Sequence, residues 1–214
     1  KSPNRNATWA NEYKNNIGID ARFLDSRLSA TVDGYYNKGY DLLVIRTGNI
    51  PVSVGGSVAA ENYGRKNTFG YEFELGWQDK VNEFNYGIST RFSWSNDKVI
   101  LGDFNDIDAL YPWKAHPNGP SDNGAWGYDY LGMFKTQQDI DNYVSQYNIT
   151  QVFEETADKL RPGMLYYRDV RGALQADGTF AGPDGIINEN DQIQLAKNST
   201  NHYAVGMTFK AGFK

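Results

Sequence analysis

Residues 67–78 read NTFGYEFELGWQ, and this stretch decides the fold of the chain. Its odd positions from 69 to 77 carry Phe, Tyr, Phe, Leu and Trp, whereas the even positions carry glycine or polar side chains. Successive side chains of an extended strand point to opposite faces, so a period of two separates the two kinds of residue. The stretch therefore predicts a β-strand with one apolar face and one polar face.

The same alternation recurs in four other segments, near 13–24, 28–45, 84–96 and 202–214. Their connections alternate in length, with short turns at 25–27 and 79–83 and long stretches at 37–66 and 97–201. Every short turn then falls at one end of the strands and every long loop at the other. This layout is typical of an antiparallel up-and-down transmembrane β-barrel with short periplasmic turns and long extracellular loops. We therefore predict an all-β barrel segment of about five strands.

The stretch 97–201 is predicted as one long external loop with some structure of its own. Residues 137–147 suit a short helix, because Thr136 can cap its N-terminus and Asp139 lies in its first turn.

Composition excludes several classes of protein. The 214 residues carry 21 Lys and Arg against 26 Asp and Glu, a net charge of −5, which argues against a nucleic-acid binder. The chain has no cysteine, so disulfides and thiolate metal sites are excluded. No run of about 18 apolar residues occurs, which excludes transmembrane helices. The mean hydropathy of −0.63 is an average over apolar rows, polar rows and long wet loops.

Aromatic residues bracket the apolar rows of the predicted strands. Phe84 and Trp94 bracket one row, and Tyr203 and Phe213 bracket another. Ten residues at ~3.3 Å rise and ~40° tilt span roughly 25 Å, the height of the apolar band of a membrane barrel. Charged residues occupy the opposite face, which we expect to line a hydrated lumen; they are Asp20, Arg22, Glu72, Glu74, Arg91 and Lys210.

Five strands cannot close a membrane barrel, since such barrels start at about eight strands and open edges are costly in hydrocarbon. Outer-membrane lipid and the remaining barrel strands are therefore expected neighbours. Alternation alone leaves another reading open, a soluble extracellular β-sandwich that binds carbohydrate through exposed aromatic side chains. A passive porin or an adhesin on the same barrel is a third possibility.

Several motifs occur in an order that resembles one family. They are NIGID at 16–20, FLDSRLS at 23–29, DGYYNK at 33–38, GY at 127–128 with GMF at 132–134, PG at 162–163 and YRDV at 167–170. The chain resembles the C-terminal part of the barrel of SusC/RagA-type TonB-dependent outer-membrane transporters, which are typical of Bacteroidota.

The resemblance implies active import of a nutrient, usually a glycan or peptide fragment, across the outer membrane of a Gram-negative, Bacteroidota-like bacterium. It implies a multi-pass membrane protein that is energised by TonB through a plug region not represented in this chain. It also implies a SusD-like surface lipoprotein as partner. Nothing in the sequence points to an enzyme, because no G-x-S-x-G, Walker A or G-x-G-x-x-G pattern is present.

A family-type run of Asp and Gly resembles a Ca²⁺ loop, in which spaced carboxylates supply hard oxygen ligands. Here Asp169 begins the run, and Asp184 and Asp191 complete it after an apparent insertion, while Arg171 stands where an oxygen ligand is expected. Ordinary Asx turns are the favoured alternative for these residues.

Four aromatic residues of the long loop are candidates to stack on sugar rings of a substrate: Trp113, Trp126, Tyr128 and Tyr130. The favoured alternative is that they pack the loop against itself or against the partner lipoprotein. Glu72 and Glu74 lie ~7 Å apart on one strand face, a spacing similar to that of a glycosidase carboxylate pair, but a hydrated lumen explains them without catalysis.

Overall fold

The structure, a computed structural model, describes residues 4–47 and 59–213. The elements in chain order are β1 Asn11–Phe23, β2 Leu28–Val44, β3 Glu61–Val81, β4 Phe84–Leu101, β5 Ala125–Gly127, β6 Tyr130–Met133, α1 Gln137–Tyr147, β7 Gln151–Val152, β8 Glu155–Thr156, β9 Leu165–Tyr167, β10 Ile186–Ile187, β11 Ile193–Ala196 and β12 Tyr203–Phe213. Short 3₁₀ turns lie at Asp108–Leu110, Ala157–Lys159 and Glu189–Asp191. No helix of the described ranges is long and apolar enough to cross a membrane.

Five long strands form one antiparallel sheet in the order β1-β2-β3-β4-β12. Each strand pairs with its neighbour in the sequence of long strands, which is an up-and-down arrangement. The predicted all-β, antiparallel fold is therefore confirmed. Across the described residues the sheet is open, with β1 and β12 at its edges.

Two of the long strands, β3 and β4, extend further than the hydrophobic alternation indicates. β3 begins at Glu61 and ends at Val81, against a predicted range of 67–78, and β4 continues to Leu101 instead of ending at 96. The extra residues keep the backbone ladder, with Asn67 opposite Lys98 and Lys66 opposite Val99. Backbone pairing does not need apolar side chains, so polar strand ends carry no period-two signal.

The connections at one end of the sheet are short. Four residues, Leu24 to Arg27, join β1 to β2, and three of them adopt positive φ angles between 54° and 66°. Two residues join β3 to β4, and the first of these, Asn82, also has a positive φ of 53°. Asn and Asp tolerate this left-handed region better than most residues, which suits tight hairpins.

The sheet has no buried hydrophobic side chain among the described residues. Within residues 4–47 and 59–213, all seven buried hydrophobic residues lie between positions 134 and 187. On the sheet, large apolar side chains remain open, with Ile17 77% and Val205 76% exposed. A soluble sandwich covers its apolar face with a second sheet, and the described residues supply no such cover.

Residues 123–199 form a second compact unit, which we call the loop unit. Its core contains Phe134, Ile140, Tyr143, Ile149, Val152, Leu160 and Ile187. Helix α1 spans the residues predicted for it, and Thr136 and Asp139 form a reciprocal capping box at its N-terminus. Three small sheets, β10-β7-β8, β11-β5 and β6-β9, complete the unit.

A hydrogen-bonded cluster ties together the two chain segments that flank the loop unit. Asp122 Oδ2 accepts hydrogen bonds from Thr200 N and Thr200 Oγ1, both at 2.9 Å, and lies 3.0 Å from His202 Nε2. The other ring nitrogen, His202 Nδ1, lies 2.9 Å from the carbonyl oxygen of Ser95. Both ring nitrogens therefore face acceptors, and only the protonated imidazole can donate to both.

These contacts raise the pKa of His202, chiefly through the hydrogen bond to Asp122 and further through the Ser95 carbonyl and the charge of Asp97. Both side chains of the pair are only 11% exposed. Because the pKa is higher in the folded protein, the cluster stabilises the fold fully below the ordinary histidine value of ~6.5. Its contribution is lost as the pH rises through the raised value.

We predict that the full-length protein resists proteolysis at residues 120–123 and 199–202 better at pH 6 than at pH 8. His202→Gln should remove this difference, since glutamine does not titrate in this range. Cleavage rates measured across the pH series check the prediction. Superimposable pH profiles for wild type and His202→Gln would contradict the role of the imidazole.

Candidate functional site

The apolar face of the sheet, defined by Phe69, Tyr71, Phe73, Leu75 and Trp77 of β3, continues in register onto the neighbouring strands. Val32 of β2 and Phe92 of β4 lie opposite Phe73 on either side. In turn, Val205 of β12 lies opposite Phe92. The predicted apolar rows therefore merge into one surface across five strands.

An aromatic row crosses this face obliquely, and its Tyr36 and Phe69 lie nearest the end of the long connections. Its ring centroids lie 5.5 to 6.2 Å apart in the order Tyr36, Phe69, Trp94, Tyr71, Phe92 and Tyr203. Such cross-strand pairs stabilise a sheet, and amphipathic rings suit a membrane–water interface.

The opposite, polar face carries paired charges and hydroxyls. Arg91 donates from Nε and Nη2 to Glu74 Oε2 at 3.1 and 2.7 Å, and Thr31 Oγ1 donates to Asp20 Oδ1 at 2.6 Å. The Arg91 side chain remains 68% exposed, and the Glu74 side chain remains 42% exposed. A face of this kind needs water, as a hydrated lumen provides. The Glu74–Arg91 pair gives Glu74 an electrostatic role that requires no catalysis.

In the loop unit, the three carboxylates predicted as Ca²⁺ ligands accept hydrogen bonds from backbone N–H groups. Asp191, fully buried, accepts from Val170 N and Arg171 N with Oδ1 and from Asn188 N with Oδ2, at 2.8 to 3.1 Å. Asp169 accepts from Gly185 N at 2.6 Å and from Asp184 N at 3.3 Å.

Backbone hydrogen bonds engage all three of these carboxylates. Asp184 Oδ1 also accepts, from Ile186 N at 3.0 Å, so each of the three carboxylates faces N–H donors. No group of three or more His, Asp or Glu within the described ranges is placed to hold a metal. The donor set does not fit the six to eight oxygen ligands that Ca²⁺ requires, and calcium stays a prediction without support from these positions.

The apparent insertion between Asp169 and Asp184 is a small hairpin. Leu174 bridges to Phe180, and the turn passes through Gly178 at a φ of 83°. Arg171, which occupies the position of an expected oxygen ligand, donates from Nη2 to the carbonyl of Gln192 at 2.8 Å. Its guanidinium also lies 5.6 Å from the centroid of the Phe180 ring. Sequence reasoning missed this bracing role because no local motif links position 171 to position 192.

The aromatic substrate candidates are placed in different surroundings. Trp113 lies outside the loop unit, half-buried, with its ring 5.3 Å from that of Tyr111. Trp126 is half-buried and donates from Nε1 to the carbonyl of Asn123 at 2.9 Å. Neither ring is presented as an open stacking platform.

Tyr128 and Tyr130 follow each other on the loop unit but differ in exposure. Tyr128 packs edge-on against Phe153 at 4.8 Å, and burial is the main cause that raises the pKa of its phenol. Tyr130 is 57% exposed and touches Tyr167 edge-on at 6.4 Å. Of the four candidates, Tyr130 therefore presents the most accessible ring, and substrate contact stays a prediction for it.

Burial also raises the pKa of Asp169, with the nearby charge of Asp191 acting in the same direction. The hydrogen bond from Gly185 opposes this shift. The two carboxylates are thus held close together by the backbone donors that surround them. Their arrangement anchors the loop and shows no acid–base pair open to a substrate.

We predict that Asp191→Asn loosens the loop unit. One amide oxygen cannot replace two carboxylate oxygens, and the amide nitrogen would face a backbone donor, so the expected cost is ~2–3 kcal/mol. Hydrogen exchange of residues 169–191 in the full-length protein measures it.

Asp177→Asn is the matched control, because Asp177 lies in an exposed turn and accepts only from Thr179. A surface change of this kind should stay within ~0.5 kcal/mol. Equal exchange rates in the two variants would show that Asp191 is not an anchor.

Comparison with known proteins identifies relatives of this chain. No protein-family profile matches the chain. The TonB-dependent receptor P26 of Formosa agariphila is 28% identical over 200 residues, which is 90% of this chain and 18% of the relative. The TonB-dependent receptor SusC of Bacteroides thetaiotaomicron is 28% identical over 103 residues, 46% of this chain and 10% of the relative.

Solved structures share the fold. The RagAB peptide importer in its closed-closed state matches with a TM-score of 0.60 at 19% identity, over 97% of this chain and 20% of that chain. Its open-open state matches with a TM-score of 0.58 at 18% identity, over 99% of this chain and 20% of that chain.

The chain spans at most about a fifth of the length of these relatives. The relatives are receptors and importers and not enzymes, which agrees with the prediction for this chain. The resemblance inferred from the motifs is thereby confirmed: this chain is similar to a barrel segment of SusC/RagA-type TonB-dependent receptors.

Proposed function

We propose that this chain forms adjacent strands of the transmembrane barrel of an outer-membrane transporter in a Gram-negative, Bacteroidota-like bacterium. The observation that carries the proposal is the apolar face, which crosses five strands in register without cover from any described residue. Exposure of such a face to water costs free energy, whereas contact with lipid tails does not. The aromatic row at one end and the charged opposite face agree with this position.

The same observation disfavours the soluble carbohydrate-binding sandwich. Exposed side chains such as Phe209 and Phe213 would then lie in water along a whole sheet face. Contiguous exposed apolar patches of that size are rare on soluble proteins.

The transporter imports a nutrient, and one similar structure supports a peptide as its cargo. RagAB is described as a peptide importer, and the motif resemblance adds glycan fragments as the alternative cargo. Energy comes from TonB acting on a plug elsewhere in the protein, and a SusD-like lipoprotein is the surface partner. Support for both comes from the similarity to SusC and to RagAB.

The loop unit lies within the longest connection between barrel strands, which in this proposal is an external loop. Its own core and carboxylate anchors make it a preformed surface for cargo or for the lipoprotein. Tyr130 is the ring that this surface exposes most among the four sequence candidates.

A charge scan tests the orientation of the sheet in full-length protein refolded into lipid vesicles. Phe73→Arg should cost ~2–4 kcal/mol near the midplane of the bilayer, because Phe73 lies on the apolar face. Urea unfolding in the vesicles measures the loss. Glu72→Arg is the adjacent control on the polar face, opposite Asp33 and Ser93, and should be tolerated.

Glu74 is a poorer control, because its substitution would also break the pair with Arg91. Equal costs at positions 72 and 73 would show that the two faces do not differ in environment. The lipid-facing assignment would then be wrong.

A transport assay tests the function of the whole protein. Deletion of its gene should abolish uptake of labelled oligosaccharides or peptides, and deletion of TonB should abolish the same uptake. Complementation with the intact gene is the control. Uptake that depends on the gene but persists without TonB would identify a passive porin instead.

A further inference from the structure

The apolar face ends, beyond its aromatic row, in three cationic side chains that we call the basic row: Lys38 of β2, Arg65 of β3 and Lys98 of β4. On each strand, an even number of positions separates the cation from a residue of the apolar face: two from Tyr36 to Lys38, four from Phe69 to Arg65 and four from Trp94 to Lys98. Since side chains alternate between faces, all three cations lie on the apolar side of the sheet. All three are exposed.

Two contacts confirm that Lys38 and Asn67 lie on the same face as Tyr36. Lys38 Nζ lies 5.8 Å from the centroid of the Tyr36 ring, and Asn67 Nδ2 donates to Tyr36 Oη at 2.8 Å. In the ladder, Lys38 is opposite Asn67, and Asn67 is opposite Lys98. Two strand spacings of ~4.8 Å then separate the two lysine backbones, within reach of one ligand for both side chains.

The acidic groups near this end leave the basic row uncompensated. Asp97 pairs at 2.7 Å with Lys66 on the polar face, and Glu61 pairs at 3.9 Å with Arg46. Asp41, in the β2 bulge opposite Arg65, accepts from Asn11 Nδ2. Within the described ranges, no acid lies within ion-pair distance of the basic row.

The other end of the same face carries the opposite arrangement. Asp79 lies two positions beyond Trp77 on β3 and therefore on the same face. It forms an ion pair with Arg27 at 3.4 Å. Uncompensated cations therefore occur at the end of the long connections, and a compensated pair occurs at the end of the short turns. Net charge on the apolar face is thus asymmetric across the membrane.

We propose that the basic row binds phosphorylated headgroups of the lipid leaflet at the long-loop end. This inference rests on the proposed transmembrane position of the sheet. Lys38 lies two residues, ~6.6 Å, further along β2 than Tyr36 of the aromatic row, on the water side of rings that suit the headgroup level. Basic side chains at an anionic surface add about fivefold each to binding. The row thereby selects anionic lipids as neighbours of these strands.

The test uses the full-length protein in vesicles of phosphatidylcholine with and without phosphatidylglycerol. Wild type should retain phosphatidylglycerol over phosphatidylcholine in native mass spectrometry, and salt should weaken the preference. The triple variant Lys38→Gln/Arg65→Gln/Lys98→Gln should lose about fivefold of preference per cation removed. The control Lys14→Gln/Arg22→Gln/Lys210→Gln makes the same charge change on the polar face and should keep the preference.

An unchanged preference in the triple variant, or an equal loss in the control, overturns the inference. So does row-dependent binding of inorganic phosphate by the detergent-solubilised protein, which would mark a site for free anions. Insertion separates this proposal from the proposed function. If wild type fails to insert even into phosphatidylcholine, the barrel assignment itself falls, whereas insertion without row-dependent selection removes only the lipid site.

Discussion

The in-register antiparallel ladder from β1 to β12 is the constraint on which the rest of the structure depends. A slip of one residue in any pairing would move an entire apolar row to the charged face. Because Ala30, Leu75 and Thr90 stay aligned across three strands, the apolar face remains continuous. The same alignment collects the charges of Asp20, Arg91 and Glu74 on the other face. Two different surfaces, one apolar and one charged, therefore follow from one pattern of backbone hydrogen bonds.

The sheet and the loop unit differ in whether their apolar side chains are buried. The sheet relies on its surroundings, since its apolar residues stay exposed within the chain. The loop unit carries its own core around Phe134 and Ile187, and its buried carboxylates satisfy backbone donors. Asp169 and Asp191 thus do for this irregular loop what a bound cation does in a calcium loop, namely fix the path of the backbone. A folded loop of this kind can keep its shape independently of lipid.

Sequence reasoning predicted the sheet because alternation is a local signal, visible in residues 67–78 without any knowledge of partners. It predicted α1 for the same reason, since Thr136 and Asp139 are only three residues apart. It fell short at the polar ends of β3 and β4, where the ladder continues without an apolar period. The His202–Asp122 contact spans 80 residues, and nothing local marks it. The basic row could have been predicted from the sequence, because every second position outward from Phe69 and from Trp94 leads to Arg65 and to Lys98.

The open edges of the sheet bear on the proposed membrane position of these strands. Within the described ranges, β1 pairs only with β2, and β12 pairs only with β4, so each exposes one side of its backbone. In hydrocarbon every unpaired N–H or C=O group costs several kcal/mol, far more than an exposed edge costs in water. The relatives are at least about five times longer than this chain and have ample length for further strands. If the apolar face meets lipid, strands from the rest of the protein must therefore pair with both β1 and β12. The membrane position and the closed barrel are then one inference, since neither is physically stable without the other.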